Sequence, residues 1–379
     1  MSITVAPQLN TLQTNEPLTV VVVGASGDLA QTKVIPALFA LFSQGYLPER
    51  FTVVGFARSD YSDDAFRQLL TRNLSNRCHS TEERGCQDLN RKFLERCFYC
   101  QGQYDQVSSY QDLAARLAQL EGPQSANRMF YMAIPPSVFI HVARAIKQTG
   151  LSGSAQDKQW TRVIIEKPFG SDRSSSDQLV HDMGEVFAEN QTFRIDHYLG
   201  KEVLQNLMVL RFANIIFEPL WNRNYIDHVQ ISWKEPIGVG NRAGYFDGFG
   251  IIRDVLQNHL LQMMALTAME PPSRLDSRSI RDETVKVLRC VHPLTMDDVA
   301  LGQYGSGKTG DVSNSAYLDE LHVPKDSRAA TFAAAVLHVH NWRWEGVPFF
   351  LRAGKALETR QAEIRIRFRE VPGNIFDKT

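Results

Sequence analysis

The sequence predicts an α/β chain in which a doubly wound domain with a parallel sheet is followed by an α+β domain. Three observations carry this reading. Short β-branched runs alternate with helical stretches as far as residue 195, the pattern of parallel strands joined by crossover helices. Leu18 to Val23 is an almost unbroken apolar run, as expected of a strand buried on both faces. Beyond residue 195 the strands turn to apolar–polar alternation, which suits a sheet with one covered face. At roughly 150 residues per domain, the 379 residues make two, placed at 18–195 and 196–379 after a mobile leader at 1–17.

The elements follow in order. Gly24 to Gly27 make a turn after the first strand, and Asp28 to Gln44 read as a helix stopped by Gly45, with Pro36 marking a kink or restart. Strands are predicted at Phe51 to Phe56, Arg128 to Ile134 and Arg162 to Glu166. In the second half, helices are predicted from Lys201 to Ala213 and from Ile251 to Ala268. Between them Val229, Ile231 and Trp233 alternate with Gln230, Ser232 and Lys234, a half-buried strand. Thr331 to Val339 and Glu363 to Arg369 add strands, the last with Ile364, Ile366 and Phe368 opposite Arg365, Arg367 and Arg369. Gly302 to Ser315 reads as a loop from its glycine and serine content.

Composition narrows the function. Lys+Arg number 41 against 42 Asp+Glu, a net charge of −1, which excludes a broadly basic nucleic-acid binder. No apolar run approaches the length that crosses a bilayer, so neither nucleic acid nor membrane is expected as a partner. The polar N-terminus shows no secretion pattern. Five cysteines are too few for a disulfide scaffold and point to a reducing, cytoplasmic setting.

Gly24-Ala25-Ser26-Gly27-Asp28-Leu29-Ala30 has the spacing G-x-x-G-x-x-A, directly after a buried strand and opening a helix that continues through Gln31. Glycines let the backbone approach a pyrophosphate, and the helix N-terminus offers free N–H groups and partial positive charge. A structural turn is the bland alternative, but the strand–turn–helix context favours a Rossmann-like dinucleotide site. Arg58 ends the second strand, where NAD enzymes place an acid for the ribose 2′-hydroxyl. A cation there favours a 2′-phosphate and hence NADP, with Ser59 adding a hydrogen bond. Gly302 to Thr309 also matches the phosphate-loop pattern G-x-x-x-x-G-K-[ST] letter for letter. That mechanism needs a helix to follow, and Gly310 to Asn314 will not start one.

The chemistry concentrates in Arg194-Ile195-Asp196-His197-Tyr198-Leu199-Gly200-Lys201-Glu202. His197, Tyr198 and Lys201 converge if helix starts here, making a phosphate-sized donor cluster; a solvated helix start is the bland alternative. Ile252, Val255, Leu256, His259 and Met263 share one face of the later helix. A histidine there is a core residue unless a carboxylate orients it for proton transfer, and spacing does not choose between Asp196 and Asp254. Glu166-Lys167-Pro168-Phe169-Gly170 closes a predicted strand at the end where open α/β sheets bind ligands, so Lys167 can touch both cofactor and substrate. Cys97-Phe98-Tyr99-Cys100 lacks a second ligand pair, and no metal is expected.

At these residues the chain resembles the glucose-6-phosphate dehydrogenase family. The resemblance runs from about Leu18 to the last residue, through Gly24 to Ala30, Glu166 to Gly170, Arg194 to Glu202, Asn206 to Trp221, Gly244 to Gln262 and Arg352 to Leu357. It implies a second domain built on a large, mainly antiparallel sheet, and oxidation of glucose 6-phosphate at C1 with NADP. In that reading His259 takes the C1 hydroxyl proton and Asp196 orients it. His197, Tyr198 and Lys201 hold the sugar phosphate, and Lys167, Glu235, Asp254, Lys355 and Arg360 complete the contacts. Arg352 and Arg365 are implied for a second, structural NADP, with Gln361 replacing a lysine. A homodimer or homotetramer is also implied. Family chains run past Thr379, so the expectation is a fragment or a shortened subunit, with the large sheet incomplete and reduced stability. Two alternatives are weighed: an oxidoreductase of unphosphorylated sugars, which needs no phosphate cluster, and an NADPH-binding module, which needs no base.

Overall fold

The computed structural model describes residues 16–74, 83–123, 125–153, 158–309, 312–373 and 375. All but Glu16 and Pro17 of the predicted leader lie outside the described residues. The chain divides into two compact units between Ile195 and Asp196.

The first unit alternates strand and helix: β1 (Leu18–Val23), α1 (Ile35–Ser43), β2 (Phe51–Ala57), α2 (Asp63–Leu74), α3 (Glu83–Leu94), β3 (Cys97–Gln101), α4 (Val107–Glu121), β4 (Asn127–Met132), α5 (Phe139–Gln148), β5 (Thr161–Glu166), α6 (Arg173–Gly184) and β6 (Thr192–Ile195). Its six strands are ordered β3-β2-β1-β4-β5-β6 and every neighbouring pair is parallel. The unbroken valines of β1 serve both faces. Val20 and Val22 pack with Ile35 and Phe39 of α1 and Phe66 of α2. Val21 and Val23 pack with Leu113 of α4 and Val142 of α5. The alternation of the pleat thus feeds two helical layers. Cys97 and Cys100, three apart on β3, likewise fall into opposite layers and do not face a common metal. Cys97, Cys100 and Cys290 are free thiols; Cys86 is disulfide-bonded, which the cysteine count did not anticipate.

The predicted helix at 28–44 is a five-residue π-helix, Ala30–Val34, running into α1. Pro36 stands in the first turn of α1, where its missing N–H costs least. It is the restart.

The second unit contains α7 (Glu202–Phe212), β7 (Ile226–Lys234), α8 (Ala243–Asp247), a π-helix (Ile252–Leu260), α9 (Leu261–Ala268), α10 (Ser277–Arg289), β8 (Val299–Gly302), β9 (Gly307–Thr309), β10 (Val312–Asn314), β11 (Phe332–His338), β12 (Pro348–Gly354) and β13 (Gln361–Phe368). Its main sheet is ordered β13-β7-β12-β11-β8. Only β7–β12 is parallel; the other three pairs are antiparallel. Val229, Ile231, Phe349, Leu351, Ala333 and Ala335 face a core shared with the π-helix and α9. On β13, Ile364 and Ile366 are half-buried as predicted, but Phe368 is exposed beyond a register shift at Arg367/Phe368.

Two sequence expectations need correction here. Gly302 to Ser315 is not a plain loop: β9 and β10 pair as an antiparallel hairpin. A strand therefore stands where the phosphate-loop mechanism requires a helix. The helix predicted at Ile251 to Ala268 is a nine-residue π-helix followed by α9, with consequences for the site below. Strands β3, β6, β8 and β12 were not predicted at all.

Buried polar anchors set α7 against α9. Arg211, 1% exposed, donates from Nη1 to Leu266 O and from Nη2 to Met269 O, both at 2.8 Å. A guanidinium at the carbonyl end of a helix satisfies otherwise unpaired acceptors and complements the helix dipole. Trp344, fully buried, donates from Nε1 to Ala268 O at 2.8 Å and meets the Phe349 ring edge-on at 5.1 Å. Trp344→Ala is expected to cost about 3–5 kcal/mol, from the cavity and the lost partner of Ala268 O. Urea unfolding followed by far-UV dichroism measures it, and a loss under about 1 kcal/mol would show the site collapses freely.

Candidate active site

In the first unit the dinucleotide turn forms at the reversal of strand order between β1 and β4, where open α/β sheets bind ligands. Gly24 has φ +88° and donates its N–H to Phe56 O at 2.7 Å. A Cβ there would stand 2.3 Å from Ala133 O, so the close approach of the two strand ends demands glycine. Gly27 N–H closes the turn on Gly24 O at 2.9 Å. Ala25 and Ala30 are buried beneath it, while Ser26 is half-buried and Gly27, Asp28 and Leu29 are exposed. Gln31, predicted among the cofactor contacts, instead donates from Nε2 to Ser26 O at 2.6 Å. It braces the loop because the first helical turn brings it back over residue 26.

Arg58 is exposed just past β2, with its guanidinium 5.4 Å over the Tyr104 ring. Ser59 Oγ donates to Ser26 Oγ at 3.1 Å, tying the β2 end to the glycine turn. Tyr104 was missed by sequence reasoning; only an aromatic shortly after β3 hinted at it. Lys167 follows β5 in the same unit, joined to Pro168 by a cis peptide bond. The backbone approach at Gly24 and the cation beyond β2 fit a dinucleotide.

In the second unit the segment after Ile195 turns twice before α7, with Leu199 N–H on Asp196 O at 3.1 Å and Lys201 N–H on Tyr198 O at 3.0 Å. Helix starts only at Glu202, with Lys201 at the N-cap position. His197, Tyr198 and Lys201 therefore converge through turns rather than through a helical face. Lys201 Nζ sits 3.6 Å over the Tyr198 ring, and His197 meets the His259 ring edge-on at 4.8 Å. His197 and Lys201 are exposed, whereas Tyr198 is buried and its hydroxyl accepts the Trp233 indole N–H. One hydroxyl hydrogen of Tyr198 is left to donate. Trp233, which the strand pattern placed in the core, is thus part of the site.

His259 is 3% exposed, and its ring stacks on Tyr198 at 4.3 Å. Its Nδ1 lies 2.5 Å from Asp196 Oδ1, so the structure chooses Asp196 rather than Asp254 as the partner. Asp254 is buried on the same π-helix. Burial alone would raise the Asp196 pKa, but the His259 hydrogen bond and charge, together with the Tyr198 N–H at 2.9 Å, hold it below the usual carboxylate value. An ionised carboxylate only accepts, so Nδ1 carries the hydrogen and Nε2 keeps its lone pair. Among the described residues, Asp196, His197 and His259 also bring metal-competent atoms within 4.8 Å of one another.

Glu235, just past β7, accepts from Lys355 Nζ at 2.9 Å and from Arg360 Nη2 at 3.1 Å. Lys355 is 8% exposed and lies 5.3 Å over the Trp233 ring, which joins this ion cluster to Tyr198 and His259. Arg352 and Arg365 lie apart from this cluster, on strands flanking β7, in register with Ser232 and Gln230. Arg352 Nη2 reaches Ser232 Oγ at 3.4 Å, and Arg365 pairs with Glu363 at 3.1 Å.

Comparison with known proteins shows the family. Residues 21–206 match the family "Glucose-6-phosphate dehydrogenase, NAD binding domain" and residues 208–379 its "C-terminal domain". The chain is 49% identical over 373 residues to chloroplastic glucose-6-phosphate 1-dehydrogenase of Spinacia oleracea, with 98% of this chain covered. It spans only 64% of that protein's length. It is 48% identical to glucose-6-phosphate 1-dehydrogenase of Dictyostelium discoideum, covering 95% of this chain and 70% of that one. A solved glucose-6-phosphate dehydrogenase in complex with its substrate glucose-6-phosphate superposes with a TM-score of 0.86 at 41% identity, covering 95% of this chain and 73% of the other. With both domain descriptions matched in succession and this identity across most of the chain, it belongs to the glucose-6-phosphate dehydrogenase family.

Proposed function

We propose that the chain oxidises glucose 6-phosphate at C1 to 6-phosphogluconolactone with NADP. The observation that carries this is the buried Asp196–His259 pair at 2.5 Å, set among the phosphate-sized donors His197, Tyr198 and Lys201. His259 Nε2 accepts the C1 hydroxyl proton, and the resulting imidazolium is stabilised by the Asp196 carboxylate. The C1 hydrogen leaves as hydride, and NADP, when bound, supplies the acceptor carbon. Lys201 and His197 take the phosphate, and Glu235, Lys355, Asp254 and Arg360 orient the sugar. NADPH absorbance on mixing enzyme and NADP with glucose 6-phosphate, against free glucose, tests the reading. Equal or absent turnover on the two sugars would overturn it.

The phosphate assignment has its own check. Lys201→Ala is expected to weaken glucose 6-phosphate about 10- to 100-fold, the loss of a charge-assisted contact worth about 1.5–3 kcal/mol. NADP binding and residual use of glucose should barely change. An equal loss for both sugars would remove Lys201 from the phosphate.

NADP over NAD is supported by Arg58 beyond β2 and by Tyr104 beneath its guanidinium. Arg58→Ala is expected to lower the ratio of kcat/KM for NADP over NAD about tenfold or more. An unchanged ratio would mean another group reads the 2′-phosphate.

A further inference from the structure

We propose that Tyr304, within the stretch Gly302–Thr309 whose letters match a phosphate loop, and Asn314, at the end of β10, are positioning residues that clamp the loop carrying Glu235. This rests on the reading that Glu235 and Lys355 serve the sugar-phosphate site. The loop 235–239 is held on one side by the end of β12 and the residues just past it, which include Lys355. Glu235 N–H donates to Gly354 O at 3.1 Å, Leu357 N–H to Glu235 O at 2.9 Å, and Ala356 N–H to Ile237 O at 3.1 Å. On the other side its polar backbone is met by side chains of the clamp. Asn314 Nδ2 donates to Pro236 O and Asn314 Oδ1 accepts from Gly238 N–H, both at 3.0 Å. Tyr304 Oη accepts from Val239 N–H at 3.0 Å and donates to Glu320 Oε1 at 3.0 Å.

Three residues of the loop, Pro236, Gly238 and Val239, thus spend their backbone groups on the side chains of Asn314 and Tyr304. The fit is close: a Cβ on Gly238 would stand 2.7 Å from Tyr304 Oη and 2.8 Å from Glu320 Oε1. Tyr304 is also coupled to Lys355 through Thr331. Thr331 Oγ1 accepts the Tyr304 N–H at 2.9 Å, and its carbonyl accepts the Lys355 N–H at 3.0 Å. Asn314 ends β10, so the hairpin puts its amide at the loop.

The test is a double-mutant cycle on the full chain, since groups that act through one another fail to add. Asn314→Ala is expected to raise the glucose 6-phosphate KM about fivefold or more with kcat within twofold, and to add nothing further in a Glu235→Gln background. Asn314→Asp keeps the acceptor for Gly238 and should fall between Asn314→Ala and the parent. Tyr304→Phe should behave like Asn314→Ala. Thermal unfolding of each variant identifies any that fail to fold, and the milder Asn314→Asp then carries the comparison. If Glu235→Gln raises KM while Asn314→Ala is silent, or if the two effects multiply, the clamp is overturned and the site reading stands. If Glu235→Gln leaves KM unchanged, the assignment of Glu235 is overturned, and the clamp with it.

Discussion

His259→Asn is expected to lower kcat by about 10²–10⁴, the usual weight of a positioned general base, while the fold and substrate binding persist. Asparagine is close to imidazole in reach and presents its own amide to Asp196 Oδ1, now 2.5 Å from Nδ1. The buried carboxylate therefore keeps a donor, and the buried position of residue 259 stays occupied. What disappears is the lone pair on Nε2 and with it the only proton sink beside C1 in the proposed reaction. Because the proton moves only in the transition state, kcat and kcat/KM should fall together. Initial rates with saturating glucose 6-phosphate and NADP measure this; turnover within about tenfold of the parent would remove His259 as the base.

Asp196→Asn is expected to cost about 10²–10³ in kcat, again with a much smaller change in KM. In the proposed reaction its Oδ1 selects the Nδ1–H tautomer of His259, and its charge stabilises the imidazolium formed as the sugar is oxidised. An amide keeps neither guarantee: it is neutral, and its NH₂ can face the ring and turn the lone pair inward. The parent carboxylate is also the better test of pH. Although burial alone would raise its pKa, its folded-state value is depressed by His259 and the Tyr198 N–H. Its contribution to stability is therefore present above the ordinary carboxylate value of about 3.9 and is lost as pH falls through the lower folded value. Loss of activity on mild acidification consequently does not come from Asp196. A variant that keeps full kcat, or a parent whose fold loosens only above pH ~5, would contradict this account.

Much of the site was legible because it is local. The turn Gly24–Gly27 lies between a buried strand and a helix start and closes on itself through Gly27 N–H to Gly24 O, while Phe56, Ser59 and Ala133 add the distant contacts. The nine residues from Arg194 to Glu202 concentrate acid, imidazole, phenol and ammonium in one turn, and short-range hydrogen bonds bring them together. Trp233 was hidden for the opposite reason. Period-two alternation marks it as inward-facing, and the same pattern describes a core residue and one whose indole N–H meets Tyr198. Strand β12 was missed because its partners, β7 and β11, are set by register between distant segments, which its own Pro348-Phe349-Phe350-Leu351-Arg352 does not encode.

The amino-acid order by itself determined the two layers around the first sheet, since the valines of β1 alternate in the pleat and must be covered on both faces. It also determined that a cation follows β2 and that a histidine sits on an apolar helical face. Spacing left open which carboxylate His259 meets and the family resemblance named Asp196; the tertiary structure decided it in space, with Asp196 Oδ1 2.5 Å from Nδ1. In an α-helix, residues five apart diverge by about 140°, but the segment Ile252–Leu260 is a π-helix whose turns close at i+5. Asp254 and His259 are therefore both buried on it, and the ring is still taken by Asp196, 63 positions away. A change in helical winding and a contact across 63 positions are both features of the packed tertiary structure. Spacing along a chain records neither, because each is settled by the free energy of packing distant surfaces together rather than by any local preference.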